Sequence, residues 1–262
     1  LKIMKIGFFD SGVGGLTVLK EALSKINCEY IYLADNANAP YGIKKKEDVK
    51  KYIEKCIDYL VKRDCKIIVI ACNTATSLSI VDMRKKYPNI FIIGTEPAVK
   101  VAADDIHNRI LVCATSITIS EEKLKKLIET LNINDKVDLV AADKLVTFAE
   151  SNNFTKNDIE NYLKSMIDNK KIKEYSHVVL GCTHFPLFKE NFKDLFGENV
   201  KVIDGNIGIV NNLINKLRLK GVNFNNKNST VEIVISKNDN TFVNNAIRIL
   251  GKEDIKITII NN

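Results

Sequence analysis

Two of the six cysteines in this chain, Cys72 and Cys182, are placed where a thiol could do chemistry. Each closes a strand-like apolar run and opens a polar cluster: Ile67 to Thr74 reads IIVIACNT, and His177 to Thr183 reads HVVLGCT. A thiol titrates near pKa ~8.5, close enough to neutrality to accept or deliver a proton. A place between a strand end and a helix start also offers its thiolate unpaired N–H groups and the positive end of a helix dipole. One pair of such thiols can work both ways, as base and as acid. The remaining cysteines, Cys28, Cys56, Cys65 and Cys113, read as small hydrophobic residues, Cys56 on the core face of a helix and Cys113 inside a strand.

The neighbours of the two thiols fit an amino-acid substrate. Asn73, Thr74 and Thr183 are neutral donors at expected helix starts, suited to a carboxylate, with N-capping as the alternative. Asp10 and Ser11 would hold an ammonium group or orient a thiol, or else form an Asx turn before Gly12. His184 lies two residues after Cys182 and invites a Cys-His nucleophile pair or a metal ligand. With only three histidines and no paired Cys/His spacing, a zinc centre is not expected. His107 and His177 read as structural. The cluster Gly12, Gly14, Gly15 lacks GxGxxG spacing and no GK[ST] is present, so it gives no support to a nucleotide site.

These residues need a scaffold that brings distant loops together, and the pattern supplies one. Short β-branched runs at Ile6 to Phe9, Tyr30 to Ala34, Ile67 to Ala71, Ile90 to Ile93, Ile110 to Ala114, Val137 to Val140, His177 to Gly181 and Val200 to Ile203 alternate with helical periods. Leu16, Leu19, Ala22, Leu23 and Ile26 mark one helix face, and Tyr52, Ile53, Cys56, Ile57 and Leu60 another. The class is α/β, with mainly parallel sheets flanked by helices. Cys72 and Cys182 are 110 positions apart and the strand starts Ile6 and Ile110 are 104 apart, which suggests two related halves facing one another. In such sheets ligands bind beyond the carboxyl ends of the strands, where the loops after Asp10, Asp35, Cys72 and Cys182 would converge on a cleft.

Composition narrows the partners. A chain of 262 residues with 45% apolar content and only 4 prolines should fold throughout. The net charge of +7 is spread thinly; Lys44 to Lys46 and Lys170, Lys171 and Lys173 read as solvated faces beside helix ends. No aromatic residues interleave with them, so no dedicated nucleic-acid site is expected. The longest apolar runs are strand-sized, which excludes a membrane-crossing helix. Irregular cysteine spacing, with no signal-peptide stretch, favours reduced thiols in a cytoplasm.

Five motifs, FDSGVGGLTVLKE (Phe9 to Glu21), DNANAPYGIKKKE (Asp35 to Glu47), ACNTATS (Ala71 to Ser77), GTEPAVKVAA (Gly94 to Ala103) and LGCTHFPL (Leu180 to Leu187), together resemble the glutamate racemases of the aspartate/glutamate racemase superfamily. The similarity runs from about Ile6 to Leu219. It implies a cofactor-independent, two-base enzyme that interconverts L- and D-glutamate and supplies D-glutamate for peptidoglycan. By the resemblance, Cys72 and Cys182 are the opposed acid and base, Asp10 and His184 assist the respective thiols, and Glu150 is a further catalytic residue. Substrate contacts carry over to Asp10, Ser11, Pro40, Tyr41, Gly42, Asn73, Thr74, Thr183 and His184, with Thr115 and Thr118 lining the same cleft. Two departures from the family pattern fall in the second half: AADKLV (Ala141 to Val146) lacks the proline-containing segment usual just before Leu145, and ATSITIS (Ala114 to Ser120) lacks a common Pro or Gly.

The resemblance further implies two pseudo-symmetric domains, residues 1–96 plus 208–262 and residues 97–207, with the active site between them and a homodimeric assembly. Strands near Val231 to Ile235 and Ile255 to Ile260 would complete the first domain. The competing readings are a racemase or lyase using the same cysteines on aspartate or another substrate, a Cys-His hydrolase, which has no dedicated oxyanion motif here, and a basic binding module.

Overall fold

The computed structural model describes residues 4–95, 98–167, 171–222, 224, 229–253 and 255–260. Six strands form the first sheet: β1 (Lys5–Asp10), β2 (Glu29–Ala34), β3 (Ile67–Ile70), β4 (Phe91–Gly94), β9 (Thr230–Ile235) and β10 (Lys256–Ile259). Its order is β10-β9-β2-β1-β3-β4, with every pairing parallel. The second sheet holds β5 (Arg109–Ala114), β6 (Val137–Ala141), β7 (Tyr175–Leu180) and β8 (Lys201–Asp204) in the order β6-β5-β7-β8, again all parallel. If β5 to β8 are matched to β1 to β4, the order second-first-third-fourth occurs in both sheets. This bears out the α/β class and the two related halves. All eight expected strands form within two residues of their anticipated ends, and the two C-terminal strands join the first sheet.

Helices α1 (Leu16–Leu23), α2 (Lys46–Lys62), α3 (Asn73–Lys86), α4 (Val99–Ala103), α5 (Ser116–Ser120) and α6 (Glu122–Thr130) are followed by α7 (Asp143–Ser151), α8 (Lys156–Met166), α9 (Lys189–Phe196), α10 (Asn206–Leu219) and α11 (Asn240–Leu250). Alternation along each strand divides the apolar side chains between two buried layers. Phe8, Tyr32, Val69 and Ile233 face α1, α10 and α11, whereas Phe9, Leu33, Ile68 and Ile70 face α2 and α3. In the second sheet Leu111, Cys113 and Val178 pack with α7, α8 and α9, and Ile110, Val112 and Val179 with α4 and α6. Because all strands of a sheet point one way, the loops after β1, β2, β3, β5 and β7 emerge at carboxyl rims, where the polar clusters lie.

The four remaining cysteines are buried free thiols in these layers, as expected. His177 begins the buried part of β7, and His107 lies in an exposed turn beside Asp105. Lys46 opens α2; of the second lysine group, Lys171 precedes and Lys173 lies within a 3-10 turn at Ile172–Glu174, while Lys170 lies outside the described residues. The expected boundary at residues 96 and 97 also lies outside them. Among the described residues no helix is long and apolar enough to cross a membrane.

The C-terminal helix α11 is integral to the first core: Phe242, Ala246 and Ile249 pack in the same cluster as Leu16, Leu19 and Tyr32. Its start is fixed by Asp239, whose side chain accepts from the N–H groups of Thr241 and Phe242. Replacing the fully enclosed Phe242 by Ala should cost about 3–5 kcal/mol. Urea unfolding would register this as a lower midpoint at unchanged slope.

Candidate active site

Cys72 is itself the N-cap of α3, with extended backbone angles, and its Sγ accepts from the Ala75 N–H at 3.4 Å. The Ser11 hydroxyl, from the loop after β1, lies 3.9 Å from the same sulfur. Burial first, and then the charge of Asp10, push the Cys72 thiol well above the ordinary cysteine value; the Ala75 N–H and the Ser11 hydroxyl oppose this less strongly. Burial thus favours the neutral thiol at Cys72.

Cys182 departs from expectation. It does not enter an α-helix: Thr183 and His184 follow, then a 3-10 turn at Phe185–Phe188 with Pro186 in its first turn, and only then α9. The helix-dipole argument that holds for Cys72 thus does not carry over. An imidazole takes its place, with His184 Nδ1 3.6 Å from Cys182 Sγ and Nε2 2.5 Å from Glu150 Oε1. Burial by itself would lower the His184 pKa, yet the bond to Cys182 and the bond and charge of Glu150 together raise it well above the usual imidazole value. The imidazolium can donate to the sulfur through one nitrogen and to the carboxylate through the other.

Asp10 ends β1 fully buried, its Oδ1 accepting from the Gly12 N–H at 2.9 Å and its Oδ2 from the Thr183 hydroxyl at 3.0 Å. Burial raises its carboxyl to about 6, against the opposing charge of His184 and the Gly12 and Thr183 hydrogen bonds. Asp10 acts on Cys72 through its charge while binding the loop that carries Cys182. The two loops are therefore tied directly. Glu150, one residue before the end of α7, adds a second tie by accepting from the Val13 N–H at 2.8 Å. The AADKLV segment leads into α7, which delivers this carboxylate, and the ATSITIS segment forms the short helix α5.

Thr115 is the N-cap of α5, with its hydroxyl 2.9 Å from that of Thr74 and 3.0 Å from that of Thr118. Asn73, Thr183 and Cys182 line a cavity of about 10 Å³ together with Thr95 and Asn206. Pro40, Tyr41 and Gly42 lie where the second strand's loop meets α5. The Tyr41 ring packs against Phe9 and Tyr52, and its hydroxyl donates to Asp35 at 2.6 Å. A Cβ on Gly42 would stand 2.7 Å from Asp143 Oδ1 and 3.0 Å from Thr115 Cβ. A much larger cavity, about 910 Å³, opens at the amino ends of β9 and β10. It has neither thiol nor imidazole in its wall, so chemistry rather than volume locates the site. Among the described residues no three His, Cys, Asp or Glu side chains gather as metal ligands.

Several contacts at this site had no local mark in the sequence. The Tyr32 hydroxyl donates to the Gly12 carbonyl, and Asn206 donates to Thr17, whose hydroxyl donates to the Gly14 and Thr183 carbonyls. The glycine cluster did carry a signal, since three glycines in four residues allow close approach of backbone and side chain. A Cβ at Gly12 would lie 1.7 Å from Glu150 Oε1, one at Gly14 2.6 Å from His184 Nδ1, and one at Gly15 2.6 Å from Asp10 Cβ. Gly12→Ala should displace the Glu150 carboxylate by an ångström or more and lower turnover about 100-fold. Steady-state kinetics on variant with unchanged circular dichroism checks this.

The description Asp/Glu/Hydantoin racemase belongs to a family model that matches residues 16–213. A glutamate racemase of Lachnospira eligens is 44% identical over 223 residues, 84% of each chain. Glutamate racemase 2 of Bacillus subtilis is 46% identical over 214 residues, 80% of each. Among solved structures, a glutamate racemase isoform of Bacillus anthracis superposes with a TM-score of 0.86 at 28% identity, covering 99% of this chain and 97% of that one. The glutamate racemase of Francisella tularensis in complex with D-glutamate gives 0.86 at 26% identity, covering 100% and 98%. With the match spanning most of the chain and the same two-sheet architecture in those structures, this chain belongs to the Asp/Glu/Hydantoin racemase family.

Proposed function

We propose that this chain is a cofactor-independent glutamate racemase that moves the α-proton of glutamate between two thiols, Cys72 and Cys182. The observation that carries the reading is the placement of these two buried thiols after equivalent strands of two like-ordered sheets, each with its own acid-base company. Relatives bearing that activity match over four fifths of the chain, and a structural neighbour holds D-glutamate.

In one direction a Cys182 thiolate, paired with the His184 imidazolium, removes the α-proton while the Cys72 thiol delivers one to the opposite face. The reverse direction begins with a Cys72 thiolate. The α-carbon is a far weaker acid than a thiol, so the carbanion-like state has to be stabilised by fixed donors. Asn73, Thr74 and Thr183 receive the carboxylates, Asp10 and Ser11 the ammonium group, and the main chain at Pro40 to Gly42 with Thr115 and Thr118 closes the far wall. Both thiols, Asp10 and His184 are buried, so admitting an amino acid between them requires the two sheets to part and then close again to exclude solvent.

The proposal includes the division into residues 1–96 plus 208–262 and residues 97–207 with the site in the cleft between them, a cytoplasmic homodimer, and a role supplying D-glutamate for peptidoglycan. A panel of glutamate, aspartate and other amino acids separates this reading from racemases and lyases of other specificity.

Incubation of D-glutamate with the purified protein in deuterium oxide should abolish the circular dichroism signal and exchange the α-proton. Cys72→Ala and Cys182→Ala should each slow racemisation about 10²–10⁴-fold; wild-type rates in either would refute the two-thiol mechanism. Asp10 sets the acid limit. Its carboxyl is raised from 3.8 to about 6, so it is ionised above that value and becomes neutral as pH falls through it. The profile of kcat/KM should therefore fall below pH about 6 and lose that limb in Asp10→Asn. A limb near 4 in the unsubstituted protein would remove Asp10 from this role.

A further inference from the structure

We infer that Asn245, on the C-terminal helix α11, is a positioning residue that fixes Glu150 and through it His184. Helix α7 runs out at Asn152, which turns into the left-handed region with φ of 50° and donates its N–H to the Phe148 carbonyl. The next amide, of Asn153, bonds to the Ser151 hydroxyl instead of continuing the ladder. Helix ends leave such carbonyls in need of donors. Asn245 Nδ2 supplies them, donating to the carbonyls of both Ala149 and Glu150 at 3.3 Å. One turn later, Arg248 donates to Asn245 Oδ1 at 3.3 Å, which orients the amide so that its NH2 group faces α7.

Asn245 is 1% exposed, and its helix neighbours Phe242 and Ala246 are locked into the core of the first sheet. Glu150 is thus gripped twice from that sheet: its main-chain carbonyl by Asn245 and its carboxylate by the Val13 N–H. Only then does the carboxylate meet His184, which the second sheet carries. The family match ends at residue 213, so α11 lies beyond it. The catalytic consequence rests on the reading of His184 as the partner of Cys182.

The test uses Asn245→Ala in the full chain, with Asn245→Ser as the second variant should the first not fold. The chain has three histidines, so their imidazole signals can be followed by NMR and His184 assigned through His184→Gln. In the Asn245 variants the His184 titration should move down toward the ordinary imidazole range while those of His107 and His177 stay in place. Turnover should fall about 10-fold, and the same substitution made on Glu150→Gln should change it less than about 2-fold, because the two act through one contact. An unmoved His184 titration, or a loss carried undiminished into Glu150→Gln, would overturn the positioning role. Full activity in Cys72→Ala would instead refute the two-thiol reading, and the NMR titration would still decide the role of Asn245.

Discussion

The buried His184 imidazole, held between Cys182 Sγ and Glu150 Oε1, is the contact on which the rest of the structure depends. An isolated imidazolium in this position would cost several kcal/mol in lost hydration, and only a close, well-placed carboxylate offsets that. Glu150 is such a group, but it comes from α7 and takes its orientation from the Val13 N–H of the first sheet. The electrostatics at Cys182 therefore require both sheets at once. Gly12 and Gly14 follow from the same requirement, since a side chain at either position would occupy the space taken by the Glu150 carboxylate or the His184 ring.

The fold repeats, yet the chemistry does not. Both thiols follow the third strand of an order shared by the two sheets, but β3 runs into a true α-helix while the chain after β7 tightens into a 3-10 turn. Cys72 consequently has a helix N–H and a neutral hydroxyl, and Cys182 has an ionisable ring. The two sulfurs therefore differ in company: burial and the Asp10 charge favour the neutral thiol at Cys72, while Cys182 lies against the His184 ring, whose charged form is favoured by Glu150. The direction of the proposed reaction that begins with a Cys72 thiolate must place negative charge on a buried sulfur near the Asp10 carboxylate. The substrate ammonium, which Asp10 would face in that reaction, offsets part of this repulsion while the carboxylate stays ionised above about pH 6.

The scaffold was legible because parallel strands buried on both faces read as unbroken apolar runs, such as IIVI before Cys72 and VVL before Cys182. The positions of Asp10, Ser11, Cys72, Cys182 and His184 were legible for a related reason, since polar residues after such runs mark carboxyl rims. Glu150 was visible only through the family resemblance, because a glutamate on an amphipathic helix carries no local sign of reaching a site. Tyr32, Thr17, Asn206 and Asn245 act through contacts between distant elements and could not be read from spacing. The continuation after Cys182 was misjudged as a helix start because a strand followed by polar residues commonly leads into one; Pro186 and the packing of Phe185 and Phe188 shape a tighter turn.

The proposed reaction requires the cleft to open, and the ties across it are of a kind that permits it. Asp10 to Thr183, Thr74 to Thr115 and Glu150 to Val13 are hydrogen bonds whose donors and acceptors would meet water when the sheets part. Each is worth only about 0.5–1.5 kcal/mol net, because the protein partner is exchanged for solvent. The Lys46 to Glu121 ion pair at the rim is partly exposed on both sides and adds about 0–1 kcal/mol. Terms of this size favour a closed cleft without making its opening prohibitive. The apolar layers within each sheet, by contrast, are not crossed by the opening. Stability thus resides in the two cores, and the polar seam between them is the part of the structure that the proposed opening would break and remake.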